Sequence, residues 1–132
     1  MNSKEDKKEE ILSSSIVDVS FLREHLSSDL DQLSQMIVLF LNQTPDKINA
    51  LKDNLSKEDY PSIKANAHFL KSSFTIMGLQ CKDILSEIEL LCSESKEIEK
   101  ITTLANSVVL NFNESVVEYE RILKNIQSKM AQ

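Results

Sequence analysis

Residues 59–78 read DYPSIKANAHFLKSSFTIMG, and this stretch carries its own start, face and stop signals. Asp59 offers a capping carboxylate, and Pro61 falls in the first turn, where a missing N–H costs nothing. Gly78, the single glycine of the chain, is placed to close the helix, because only glycine takes the left-handed conformation without a Cβ penalty. Between them Ile63, Ala67, Leu70, Phe74 and Met77 recur at spacings of 4, 3, 4 and 3, which predicts one buried stripe. At about 100° per residue, His68 points roughly 140° from the centre of that stripe, together with Lys64, Ser72 and Thr75. The imidazole is therefore expected in solvent.

Working outward, the same periodicity predicts more helices. Upstream, Leu30, Leu33, Ile37, Phe40 or Leu41, Ile48, Leu51 and Leu55 mark a helix over about 29–55, with Ser27, Ser28 and Asp29 as caps. Pro45 lies inside it and predicts a kink or a break near Gln43–Thr44. Before that, Val17, Val19, Phe21, Leu22 and Leu26 suggest a short helix starting near Ile16. Downstream, Ile84, Leu85, Ile88 and Leu91 mark a helix over about 80–92, and SESKE (93–97) breaks the pattern. A last long helix, about 98–126, repeats Ile98, Ile101, Leu104 or Ala105, Val108, Phe112, Val116, Tyr119, Ile122 or Leu123 and Ile126. Short connections favour antiparallel neighbours. The expectation is all-α: an antiparallel up-and-down four-helix bundle over residues 16–128, with a short N-terminal helix capping one end and a charged tail over 1–15.

Composition narrows the function classes. A length of 132 residues with 41% apolar content suits one domain, and one glycine with 5% aromatics argues against an all-β fold. The net charge of −6 disfavours nucleic acid and acidic membranes as partners, so a protein partner is expected. No run approaches the roughly 18 apolar residues of a membrane span, and the first ten residues lack the apolar segment of a signal peptide, so a cytoplasmic location is expected. Cys81 and Cys92 would lie about 16 Å apart along one helix, too far for a disulfide, and are expected reduced and half-buried. Thiols and imidazoles are too few for a zinc site, so no metal is expected.

The surroundings of His68 point to chemistry. Lys71 is one turn ahead and Lys64 one turn back, so two ammonium groups flank an imidazole in an acidic chain. Neutral imidazole is a competent nucleophile, and an added dianion would find positive charge within reach. Ser72 is small and leaves space beside the ring. His25, with no cationic flank, is expected to be an ordinary surface residue.

The run Ala67, His68, Leu70, Lys71, Ser73 and Gly78 resembles in register the signature of histidine-containing phosphotransfer (HPt) domains, AHxLKGSSxxxG. The resemblance covers about residues 17–125. It implies that His68 is the phosphoacceptor, Lys71 its counter-charge and Lys64 and Ser72 its neighbours. Ser72 replaces the signature's glycine and implies slower transfer. A polar residue on the following helix often orients the imidazole in this family. Here either Glu89 takes that role, through a connection one residue shorter, or Leu90 occupies the position and the contact is absent. The implied function is a phosphorelay carrier, not an enzyme. It takes a phosphoryl group from a receiver-domain aspartyl phosphate and hands it to another receiver. Partners would be receiver domains of response regulators or hybrid histidine kinases, with magnesium supplied by the receiver and no cofactor on this chain, which is expected to be a monomer.

Three apolar residues fall off the core stripes: Leu39 by roughly 160°, Met36 by about 100° and Phe69 by roughly 120°. Either the short first helix covers Met36 and Leu39, or the three form a receiver-docking surface. Two rival readings remain. One is a helical interaction module that binds a receiver without carrying phosphate; the other is a coiled-coil dimer through the last helix.

Overall fold

The computed structural model describes residues 12–131. They form five helices: α1 Ser20–Leu26, α2 Leu30–Ser56, α3 Tyr60–Met77, α4 Lys82–Ser93 and α5 Ile98–Met130, with no strand among the described residues. Contacts run from α2 to α3, α3 to α4, α4 to α5 and α5 back to α2, while α1 lies against α2 and α3.

Local signals set the helix ends. Asp29 caps α2 by accepting from Gln32 N at 3.1 Å. Asp59 caps α3 by accepting from Ser62 N at 3.2 Å and from Ser62 Oγ at 2.7 Å. Gly78 closes α3 at φ 70°. Helix α2 runs through Pro45 unbroken, so of the two outcomes expected near Gln43–Thr44 the break is absent. Phe40, Thr44, Ile48 and Leu51 are all buried around the proline, and packing on both sides of it outweighs one lost backbone bond.

The core stripe of α3 is the expected one: Ile63, Ala67, Leu70, Phe74 and Met77 are all buried. On α5 the buried series is Ile101, Ala105, Val108, Phe112, Ser115, Tyr119, Ile122 and Ile126. Ser115, not the expected Val116, continues it. The 4-3 alternation set by Ile101 to Phe112 reaches 115, and a hydroxyl donated to the Phe112 carbonyl at 2.7 Å makes serine tolerable there. Phe40 sits at the centre, edge-on to Phe74, Phe112 and Tyr119 with ring centroids 6.2, 5.7 and 5.5 Å away. The Tyr119 hydroxyl donates to the Met77 carbonyl, one of the orphan acceptors at the end of α3. Burial pushes the Tyr119 phenol well above its usual range.

The first helix begins at Ser20 rather than Ile16. Ahead of it, Val17 and Val19 are buried while Asp18 between them is exposed, in a non-helical bend whose Val19 backbone sits at φ −89° and ψ 13°. This strap reaches back to Leu12, 1% exposed, which lies inside the stretch expected as a tail; the rest of that tail, residues 1–11, falls outside the described residues. Arg23 donates to the Leu12 carbonyl at 2.8 Å, and Ser14 Oγ accepts from the amides of Ile16 and Val17. The Asp18 amide donates to the Gly78 carbonyl at 2.8 Å, tying the strap to the end of α3.

Both cysteines are free and buried rather than half-buried. Burial pushes the Cys81 thiol up to about 12. His25 is exposed, with its ring against Phe21 at 4.4 Å.

Candidate functional site

Helix α3 buries Ala67 and Leu70 completely, and this fixes which way the residues between and beside them face. The His68 side chain is 70% exposed. Across the helix interface it meets Glu89 on α4, whose Oε2 lies 3.4 Å from His68 Nδ1. An ionised carboxylate only accepts, so this contact favours the tautomer with the proton on Nδ1. Nε2 is then left with a free lone pair.

The other carboxylate oxygen, Glu89 Oε1, lies 3.5 Å from Lys71 Nζ. That is longer than the 2.7–2.9 Å or so of a charge-assisted hydrogen bond, and Oε1 is buried without a hydrogen-bond partner. The pair is a loose one, held by charge rather than by a hydrogen bond. His68, Glu89 and Lys71 thus form one line of groups, with Glu89 in the middle and mostly covered at 18% exposure. Leu90, the alternative position, is 64% exposed.

Ser72 and Lys64 are exposed on the same helix. Lys64 makes no ion pair among the described residues. Its charge acts on Cys92, whose thiol is raised by burial, lowered by Lys64 and raised by Glu89. Gly78 stands at the end of α3, away from the ring, as a structural residue.

A groove of about 90 Å³ opens between α2 and α3, with Met36, Leu39, Phe69, Ser73 and Ile76 on its walls and Phe40 at its floor, and Phe69 is the residue that follows His68. Leu39 and Phe69 remain 50% and 48% exposed. Met36 is partly buried. Helix α1 leaves Leu39 half exposed, and its Leu26 borders a neighbouring hollow with Met36 and Leu39. The structure adds one residue that periodicity did not reveal: Lys47 on α2, with Nζ 4.7 Å from the centroid of the Phe69 ring. No spacing along a single helix announces a contact between two helices.

A protein-family model, the Hpt domain, matches residues 35–127. The chain belongs to the Hpt domain family. No curated protein and no solved structure matches it. The match takes in most of α2, all of α3 and α4 and nearly all of α5, while the strap and α1 precede it. Membership in the Hpt family implies phosphotransfer in two-component signalling, in which such domains act as carriers. No helix among the described residues is long and apolar enough to cross a membrane.

Proposed function

We propose that this Hpt domain takes a phosphoryl group onto His68 from the aspartyl phosphate of one receiver domain and passes it to the aspartate of a second. The observation that carries the reading is the exposed His68 ring, with Nδ1 facing Glu89 and Nε2 free. In the transfer, the Nε2 lone pair forms a bond to phosphorus as the bond from phosphorus to the aspartyl oxygen breaks, and the electron pair leaves with the carboxylate. The Nδ1 proton stays on the ring, facing Glu89. Lys71 turns from its loose pairing to the phosphoryl oxygens and balances their charge. The reverse step, onto a second receiver, uses the same groups. Magnesium comes with the receiver and serves its side of the reaction.

Met36, Leu39 and Phe69 form the docking surface of this reading, and Lys64 and Ser72 border the phosphoryl group. The hydroxymethyl of Ser72 slows the approach of a partner without blocking it. Short connections between the long helices support an up-and-down antiparallel bundle in the domain that includes residues 16–128. The domain works as a monomer in the cytoplasm.

The test is incubation with a receiver domain carrying labelled aspartyl phosphate. Wild type should acquire label that is lost in acid and stable in alkali, and His68→Gln should acquire none. Label surviving that substitution places the acceptor elsewhere. In the same assay Leu39→Ala and Phe69→Ala should each lower transfer at limiting receiver by about tenfold, the loss of a single hot-spot contact, with unchanged melting temperature. Transfer at the wild-type rate in both variants removes the docking surface.

A further inference from the structure

The groove carries a cation that the transfer chemistry does not use. Lys47 reaches from α2 across to α3 and sets its ammonium over the Phe69 ring, 4.7 Å from the centroid. Such a contact fixes where the charge sits. Among the described residues Lys47 makes no ion pair. Asp46, next in sequence, is exposed and turned about 100° around the helix. The charge of Lys47 is thus held in place and not neutralised.

Its location gives it meaning. Phe69 follows His68 directly and forms a wall of the groove. Lys47 thus sets a positive charge at the groove wall of a chain whose net charge is −6. Among the described residues, no carboxylate lines the groove. An acidic partner is repelled by the net charge of the molecule and attracted locally by an unpaired ammonium at the groove.

We propose that Lys47 is a specificity-determining residue, selecting receiver domains that present a carboxylate beside the apolar side chains filling the groove. The proposal rests on the carrier reading for the nature of the partner, but not on phosphoryl transfer itself. A charge at the rim of an interface acts on the association rate and its salt dependence more than on dissociation. Docking shields the Phe69 ring from water, so the partner's carboxylate meets an ammonium already oriented and partly desolvated.

The test follows binding of the full chain to a panel of immobilised, purified receiver domains, alongside label transfer to His68. At low salt, association should slow about threefold for Lys47→Met and about tenfold for Lys47→Glu, with dissociation little changed. At about 0.5 M salt the variants should fall within a factor of about two of wild type. Melting temperature and transfer rate at saturating receiver should match wild type. Equal association in all three proteins, a loss that persists at high salt, or a loss in the saturated rate each overturns the proposal. If the binding effect appears but His68 never takes label, the selector stands and the carrier reading fails. If wild type binds no receiver, both fail.

Discussion

Replacing Gly78 with alanine should lower the unfolding free energy by about 3 kcal/mol or more, among the larger losses a single added methyl can produce. Two independent penalties meet at this residue. Its φ of 70° lies in the left-handed region, where an L side chain costs about 1–2 kcal/mol. A Cβ there would also stand 1.7 Å from the Asp18 carbonyl oxygen and 2.5 Å from its carbon, both backbone atoms with no flexible end to swing aside. Relief requires the strap to retreat, which breaks the hydrogen bond from the Asp18 amide to the Gly78 carbonyl and exposes Val17 and Val19, each worth roughly 1.5–3 kcal/mol of burial. Urea denaturation measures the loss, and amide exchange should show residues 12–19 losing protection first. A variant within about 1 kcal/mol of wild type would mean that the strap is not held at this point.

Phe40→Ala should cost about 3–5 kcal/mol, the usual range for removing a buried phenylalanine. The ring is 4% exposed and meets aromatic rings from both α3 and α5, so no single neighbour can move in to fill the void. Phe40 is also the groove floor. The variant should therefore lose transfer at limiting receiver as well as stability, whereas Leu39→Ala loses transfer alone. Denaturation midpoints and near-ultraviolet circular dichroism distinguish the two, and Phe40→Leu should recover about half of the stability. Stability within about 1 kcal/mol of wild type would show that the core repacks around the gap.

What could be read from sequence was what local rules govern. The whole buried stripe of α3, its cap at Asp59 and its closure at Gly78 follow from spacing and backbone preference within one helix. The same holds for the exposure of His68, which is set by its offset from Ala67 and Leu70. The failures share a cause. Ser115 was passed over for Val116 because a hydroxyl reads as polar until its intrahelical acceptor is known. Val17 and Val19 looked like part of a helix because four or five residues are too few to establish a period of 3.6. Choosing between Glu89 and Leu90 needed the rotation of α4 against α3, which depends on how residues 78–81 turn. Gly78 announced itself as a helix terminator, but its second constraint, the close approach of Asp18, comes from a distant part of the chain. Lys47 and Phe69 meet for the same reason.

The groove is walled by Phe69, the neighbour of His68 on the same helix, and in the proposed relay a single docking surface serves both partners. A loaded donor and an empty acceptor that both seat in it exclude one another, so each must depart before the next arrives. Where both are abundant enough to keep the groove occupied, throughput tracks the ratio of the two populations, and a surplus of empty acceptor slows reloading by crowding the donor out.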